Sequence, residues 1–279
     1  MAKPKFEVVE GLKFAPGFQE NNIRSVLEYK PADEDIFIVT YPKCGTTWTQ
    51  QIVVLLQHDG HLPDGGYRKY SPFLEQRGMS SIQDLQRPFS MKTHIAATGH
   101  PWNPQAKYII VLRNAKDAVV SFYYHQTSGG GYGIKGMSFD DFFEFWMDGE
   151  VECGSYFDWV LSWWPRRNLD NVLVVTYEDM KNDPKKEITK IAKFIGVDTN
   201  DELIDQTVEK SSFSAMKTAA DATDPKRHNM RKGVVGDWTN HLSNEQNTRI
   251  EKLYHEKFDG TGLEHLWDQY DIFGKSLLP

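Results

Sequence analysis

Short apolar runs alternate along this chain with segments of helical periodicity. Three runs rich in β-branched residues, at Ile36–Thr40, 108–112 and Val172–Thr176, predict buried strands. They are apolar throughout instead of alternating with polar residues, which is typical of strands covered on both faces. The pattern therefore predicts an α/β fold with a central parallel sheet flanked by helices.

Two helices between and after these strands have recognisable limits. Asp183 is a predicted N-cap, Pro184 fits the first turn, and Gly196 ends the apolar stripe that follows. A second apolar stripe, over residues 250–258, predicts a helix near the C-terminus. Residues 216–229 show no period, and we interpret them as a long loop.

Length and composition favour one large domain. The chain has 279 residues without internal repeats or a linker-like stretch, so residues 1–279 are predicted to form a single domain. Lys plus Arg minus Asp plus Glu is 32 − 39 = −7, so no global positive field favours nucleic acid as a partner. No apolar run approaches the roughly 18 residues of a membrane-spanning helix.

Cysteine content and the N-terminal residues bear on the compartment. Cys44 and Cys153 could form one disulfide at most, and no apolar signal segment follows the first lysines. The chain is therefore predicted to be cytoplasmic, with both thiols reduced.

Candidate chemistry begins where the first predicted strand ends. Residues 41–48 read YPKCGTTW, and the residues from Trp48 onward have helical spacing. In such a strand–loop–helix unit the loop amides and the helix dipole favour a phosphate or sulfate oxygen, and Lys43 adds a full positive charge. The alternative is an ordinary turn in which Thr46 or Thr47 caps the helix.

This loop differs from the phosphate loop of magnesium-dependent nucleotide enzymes. Lys43 precedes Gly45, and no Gly-Lys-Ser/Thr triplet follows to hold a metal. Arg113 follows the second strand where a metal-binding carboxylate would be expected. No metal is therefore predicted, although Glu178 and Asp179 after the third strand keep a P-loop nucleotide kinase open as an alternative.

The loop sequence TYPKCGTTW, residues 40–48, closely resembles the 5′-phosphosulfate loop of the cytosolic sulfotransferases. Further segments resemble that family in the same order along the chain. They are residues 91–94, which resemble the segment of the catalytic histidine; 113–121, the first 3′-phosphate site; 177–181 and 211–213, the adenine-binding segments; and 231–238, the second 3′-phosphate site. The resemblance spans nearly the whole chain.

This resemblance implies a fold similar to that of P-loop kinases and a transfer reaction. The implied donor is 3′-phosphoadenosine 5′-phosphosulfate (PAPS), the product is 3′-phosphoadenosine 5′-phosphate (PAP), and no metal is involved. His94 would take the proton of the acceptor hydroxyl or amine, since imidazole titrates near neutrality. Lys92 would stabilise the transferring sulfuryl group, Lys43 the leaving oxygen, and Ser121 would position Lys43 in an in-line transfer.

The same resemblance assigns the binding residues. Cationic side chains and a glycine amide would hold the 3′-phosphate, and aromatic rings would hold the adenine, although a solvated basic loop and core aromatics are the alternatives. The implied donor-binding residues are Lys43, Cys44, Gly45, Thr46, Thr47, Trp48, Arg113, Ser121, Tyr177, Ser211, Phe213, Met216, Arg231, Lys232 and Gly233. A small acceptor, with a phenol as first choice, would contact Phe18, Phe73 and His125.

The chain departs from the family pattern at several positions. Cys44 replaces the usual serine, and its place at a helix N-terminus beside a lysine predicts a reactive thiolate, with a buried inert thiol as the alternative. Residues 129–136 and 217–229 differ in segments that flank the acceptor. Residues 239–248 do not match the dimerisation motif of the family, so a dimer of that type is not expected.

Two other interpretations of the sequence are a dehydrogenase and a catalytically silent nucleotide-binding protein. Residues 131–136 match the dinucleotide fingerprint GxGxxG, but they follow a polar stretch instead of a strand, and Ser138 begins the next helix beyond them. A dehydrogenase is therefore disfavoured. A catalytically silent nucleotide-binding protein is disfavoured by the presence of Lys43, Lys92 and His94.

Overall fold

The structure, a computed structural model, describes residues 3–128, 131–223 and 231–274. Its strands, numbered in chain order, are β1 Glu7–Val9, β2 Leu12–Phe14, β3 Ile36–Thr40, β4 Ser90–Thr93, β5 Lys107–Leu112 and β6 Val172–Thr176. Its α-helices are α1 Glu20–Leu27, α2 Thr46–Gln57, α3 Tyr67–Tyr70, α4 Leu74–Arg77, α5 Ala115–Ser128, α6 Phe139–Met147, α7 Tyr156–Trp163, α8 Tyr177–Asn182, α9 Pro184–Ile195, α10 Asp201–Lys210, α11 Phe213–Thr223 and α12 Asn244–Phe258. Short 3₁₀ turns lie at Met79–Ile82, Trp164–Arg166, Asp237–Asn240, Leu263–His265 and Asp268–Tyr270.

A parallel four-stranded sheet of order β4-β3-β5-β6 forms the centre of the fold. In register, Ile38 lies opposite Lys92 on one side and Ile109 on the other. All five residues of β3 are buried, and apolar clusters cover both faces of the sheet, as expected for parallel strands. The predicted α/β class with a central parallel sheet is confirmed. β1 and β2 form a separate antiparallel hairpin.

Local sequence signals explain the helix ends. The Asp183 side chain accepts a bond of 3.0 Å from the Lys186 amide at the start of α9, and Gly196 ends that helix with φ +80°. At the start of α6 the Ser138 hydroxyl accepts from the Asp141 amide. Among the described helices, none is long and apolar enough to cross a bilayer.

One element differs from its prediction. Residues 216–229 were interpreted as a loop, but α11 occupies Phe213–Thr223. The helix contains four alanines, which favour a helix by backbone propensity without a large apolar stripe, so periodicity alone misses it. The rest of that segment, residues 224–229, lies outside the described residues.

The sheet places the candidate active-site residues at one edge. The carboxyl ends of the four parallel strands are followed by the loop with Lys43, by His94, by Arg113 and by Tyr177. In open α/β sheets ligands bind at this edge. The order of the strands therefore gathers segments that are far apart in sequence.

Candidate active site

The turn between β3 and α2 has an unusual backbone. Lys43 and Gly45 both have positive φ values, +71° and +106°, and the Cys44 amide donates back to the Tyr41 carbonyl at 3.3 Å. A Cβ on Gly45 would lie 3.1 Å from the Tyr177 ring, so the turn packs closely against the start of α8. The helix begins at Thr46, and the first amides of a helix have no partner within it. The turn therefore presents donors and a positive helix end at the edge of the sheet.

A cavity of about 340 Å³ opens at this edge. All of the predicted site residues line it except Cys44. One half, which we call the donor half, is lined by Lys43, Gly45, Thr46, Thr47, Trp48, Arg113, Ser121, Tyr177, Ser211, Phe213, Met216, Arg231, Lys232 and Gly233. The other, which we call the acceptor half, is lined by Phe14, Phe18, Phe73, Lys92, His94, His125, Tyr132 and Glu152.

Cys44 does not fit its predicted role as a reactive side chain. It is fully buried in the core, and its Sγ lies 3.8 Å from the Pro42 carbonyl oxygen. Burial raises the pKa of the Cys44 thiol to about 12, although the charges of Arg113 and Lys43 oppose that rise. The predicted thiolate is therefore wrong, because the loss of hydration outweighs the nearby positive charges. The alternative, a buried thiol, is what the structure contains.

Arg113 connects the two sides of the donor half. It is 6% exposed, and its guanidinium donates to the Lys43 carbonyl at 3.3 Å and to the Val234 carbonyl at 3.2 Å. It also lies 4.3 Å from the centre of the Tyr177 ring. Its buried Nε has no partner among the described residues. Arg113 thus bridges two backbone segments and retains a donor for a ligand.

Two further cations are held at the rim of the cavity by one carboxylate. Asp237 lies 2.5 Å from Arg231 and 2.7 Å from Lys232. Burial would raise the pKa of Asp237, but bonds from Lys232, Asn240 and Arg231 hold it well below its usual value. The carboxylate is therefore ionised, and it orients both cations beside Gly233.

Aromatic rings also line the donor half. The Trp48 and Tyr177 rings meet edge to face with centroids 5.6 Å apart. Gly233 has φ +69°, and a Cβ there would lie only 2.3 Å from the Phe213 ring. A glycine is required at this position because any side chain would displace Phe213.

His94 has a defined tautomer. Its Nδ1 lies 2.7 Å from the Thr40 carbonyl oxygen, which can only accept, so Nδ1 carries the hydrogen and Nε2 carries the lone pair. Burial and the charge of Lys92 lower the pKa of His94 well below its usual value. The Trp159 indole donates to the His94 carbonyl at 2.8 Å and fixes the backbone. The imidazole is therefore neutral at pH 7 and can accept a proton at Nε2.

The lysines of the site lie close enough to influence each other. Burial, followed by the charges of Lys92 and Arg113, lowers the pKa of Lys43 to about 8. The Lys92 ammonium lies 3.7 Å from the centre of the Phe73 ring. Such a concentration of positive charge favours an anionic ligand, because a ligand of opposite charge stabilises the charged form of Lys43.

Comparisons with known proteins identify the family of this chain. A sequence profile described as Sulfotransferase domain matches residues 33–262. Sulfotransferase 1C2 of Homo sapiens is 34% identical over 93% of this chain and 94% of its own length, and human sulfotransferase 1E1 is 33% identical over 93% and 95%. This chain belongs to the sulfotransferase family. The prediction that it is a sulfotransferase enzyme is confirmed.

Solved structures extend this likeness to the whole fold of the sulfotransferases. Mouse sulfotransferase SULT7A1, solved in complex with PAP, superposes with a TM-score of 0.81 at 31% identity and covers 95% of this chain and 98% of its own. Retinol dehydratase in complex with androsterone and inactive cofactor PAP shares the fold, with a TM-score of 0.78 at 20% identity. The predicted P-loop-like architecture is confirmed.

Glu178 and Asp179 are the two carboxylates on which the alternative of a nucleotide kinase depends, but they do not form a metal site. The Glu178 carboxylate accepts from the Asn114 amide and from the Trp267 indole, at 3.0 and 2.9 Å, and Asp179 accepts from Tyr270 at 2.7 Å. Neither residue lines the cavity. Within the described part of this sulfotransferase, no group of three or more His, Cys, Asp or Glu could hold a metal ion.

The sequence analysis gave no role to several cavity residues of this sulfotransferase. They are Phe14, Ala15, Pro42, Glu75, Gln76, Tyr132, Glu152, Cys153, Lys181 and Val234. Glu75 accepts from the Thr93 hydroxyl at 3.0 Å and from the His94 amide at 2.5 Å, and burial raises its pKa to about 7. Glu75 lies two residues after Phe73, which the sequence analysis places at the acceptor, so its position carried a usable signal. Glu152 had none, because it follows a helix with no motif around it.

Proposed function

We propose that this chain transfers a sulfuryl group from PAPS to the hydroxyl of a small phenol, or to an amine, and releases PAP. The observation that carries the proposal is the convergence of all the family-like segments on one cavity. These segments are separated by as many as 190 residues, between Lys43 and Gly233, so a chance arrangement of basic loops does not account for it. A cytoplasmic location of the protein stays a prediction.

Two anion-binding regions in the donor half suit a nucleotide with two separate phosphates. Lys43 and the first amides of α2 would hold the 5′-phosphosulfate. The donor would supply the sulfuryl group from this end of the molecule. Arg113, Arg231 and Lys232 would hold the 3′-phosphate by charge-assisted bonds.

Unused donors support this fit. The buried Arg113 Nε and Trp48 Nε1 have no partner among the described residues. A buried donor without a partner costs free energy, and a ligand atom would supply the missing acceptor. Trp48 and Phe213 would contact the adenine, with Tyr177 and Ser211 at its polar edge.

His94 is the proposed general base. Its Nε2 lone pair would take the proton of the acceptor hydroxyl, and the Thr40 carbonyl would stabilise the imidazolium through Nδ1–H. Lys92 and Lys43 would stabilise the negative charge on the transferring group and the leaving oxygen, and Ser121 would position Lys43. The rings of Phe18 and Phe73, 5.3 Å apart, support a flat aromatic acceptor beside this base.

A ligand panel tests the donor assignment. Thermal unfolding is measured with PAP, AMP, ATP with magnesium, and NAD. PAP at a hundredfold excess over its Kd should add about 2.7 kcal/mol to the free energy of unfolding, and AMP should add less because it lacks the 3′-phosphate. Stabilisation by ATP only when magnesium is present, or by NAD, would contradict the proposal.

Arg231→Ala sharpens this test. The substitution should weaken PAP by about 1.5–3 kcal/mol while leaving adenosine 5′-phosphosulfate, which has no 3′-phosphate, nearly unaffected. Arg249→Ala is the matched control, because Arg249 pairs with Glu144 and does not line the cavity. Equal losses for both nucleotides, measured by calorimetry, would place Arg231 elsewhere.

Gly233→Ala should also weaken PAP. The new Cβ would force Phe213 to move, and the lost stacking should reduce affinity by roughly 1–3 kcal/mol. Gly236→Ala is the control, since Gly236 has a similar φ of +86° but its Cβ would meet nothing within 4 Å. Calorimetry should therefore separate the two variants. Equal PAP affinities would mean that Phe213 does not contact the adenine.

A further inference from the structure

Glu152 is a buried carboxylate in the acceptor half that the proposed reaction does not use. It is 5% exposed and lines the cavity. Its neighbours hold it in place, because the Cys153 amide donates to the Lys13 carbonyl at 3.0 Å and the Tyr41 hydroxyl donates to the Gly154 carbonyl at 2.9 Å. A carboxylate fixed in such a position is costly unless a ligand or a partner compensates for its lost hydration.

The hydrogen bonds to Glu152 are fewer than an ionised carboxylate can accept. The Tyr132 hydroxyl lies 3.1 and 3.0 Å from its two oxygens and can donate only one hydrogen. Burial and the negative charge of Glu152 raise the pKa of Tyr132 well above its usual value, so Tyr132 is the donor. The two oxygens of Glu152 therefore have capacity for further donors.

The nearby positive charges are shared with the donor. Burial raises the pKa of Glu152 to about 7, while the Tyr132 hydroxyl, the charges of Lys92 and Lys43 and the buried Gln126 side chain oppose that rise. These two lysines are the ones proposed to act on the phosphosulfate. When they face the negative charge of a bound donor, they compensate Glu152 less, and the acceptor half becomes deficient in positive charge.

A positively charged group on the acceptor would donate to the Glu152 oxygens and would also supply the missing positive charge. We propose that Glu152, with Tyr132 beside it, binds an ammonium group of the acceptor, which makes the acceptor a phenol that carries an alkylammonium substituent. The aromatic side chains of Phe14, Phe18 and Phe73 line the same half and suit the ring of such a molecule. This inference rests on the proposed function, since it assumes that the hydroxyl of the acceptor lies at His94.

Three phenols of nearly equal size test the charge requirement. They are 4-(2-aminoethyl)phenol, 4-(2-hydroxyethyl)phenol and 4-ethylphenol, which carry an ammonium, a neutral hydroxyl and a methyl group at the same position. Their binding to the enzyme–PAP complex is measured by calorimetry, and their sulfation is measured separately with PAPS. The wild type should favour the ammonium probe over 4-ethylphenol by about ten- to a hundredfold in both measurements.

Substitutions of Glu152 test whether its carboxylate causes this preference. Glu152→Gln should abolish the preference, and Glu152→Asp, which keeps the charge, should restore part of it. Glu144→Gln is the control, because Glu144 lies on α6, is exposed and pairs with Arg249, so the preference should persist. PAP binding by each variant shows whether the fold is intact.

The outcomes separate this inference from the function on which it rests. Absence of PAP binding by the wild type would contradict the proposed function itself. If PAP binds but the three phenols bind alike, or fail to bind, the inference is wrong while the donor assignment stands. If 4-(2-hydroxyethyl)phenol is preferred as strongly as the ammonium probe, the inference of a charged subsite is wrong, and the subsite binds a neutral hydrogen-bond donor. A preference that survives in Glu152→Gln would exclude Glu152 as its source.

Discussion

His94→Ala should lower kcat for acceptor sulfation by roughly 10²–10⁴ while leaving PAP affinity close to that of the wild type. The structure supplies the reason, because Nδ1 is engaged with the Thr40 carbonyl and the neutral ring has its lone pair on Nε2 in the acceptor half. Removal of the imidazole deletes the proposed base but no group of the donor half. Single-turnover rates and PAP calorimetry measure the two effects separately.

A matched control excludes a general effect of losing a histidine. His58 packs edge to face on Tyr70, its Nδ1 lies 2.9 Å from the Val54 carbonyl, and it does not line the cavity. His58→Ala should therefore leave the sulfation rate within a few fold of the wild type. A His94→Ala enzyme that lost PAP affinity but kept its turnover would contradict the assigned role.

The position of the site could be predicted because it depends on local features. A strand, a turn with Lys43 and Gly45, and a helix start follow each other between Ile36 and Thr46, and each feature has a sequence signal. The apolar runs then predict the parallel sheet, and strands of one direction must bring the residues after them to one edge. Arg113 and Tyr177 could be placed by this rule without knowledge of any contact.

Properties that depend on distant packing could not be predicted. The same local argument predicts a thiolate at Cys44, but the pKa of that thiol depends first on its burial in the core, which residues distant in sequence produce. Glu152 is similar, since the residues that follow it are held beside the cavity by hydrogen bonds to Lys13 in β2 and to the Tyr41 side chain. No spacing in the sequence links these residues, so the acceptor half was the part least accessible to sequence analysis.

Lys43→Gly should slow sulfuryl transfer and, at the same time, stabilise the protein. The loss of the charge proposed for the leaving oxygen should reduce kcat by about 10²–10³. Lys43 has φ +71°, a left-handed conformation that costs a residue with a side chain about 1–2 kcal/mol and glycine almost nothing. After the greater entropy of glycine in the unfolded state is subtracted, we expect a gain of roughly 0.5–1 kcal/mol in the free energy of unfolding.

Lys43→Met separates backbone strain from charge. It removes the same ammonium and the same repulsion from Lys92 and Arg113, but it keeps a side chain at the left-handed position. Both variants should be equally slow, and chemical denaturation should find the glycine variant more stable than the methionine variant. Equal stabilities would mean that this turn stores no strain, and a fast Lys43→Met enzyme would mean that the leaving oxygen is stabilised by other groups. If both expectations hold, the chain keeps a strained lysine at the end of β3 because the reaction needs its charge there.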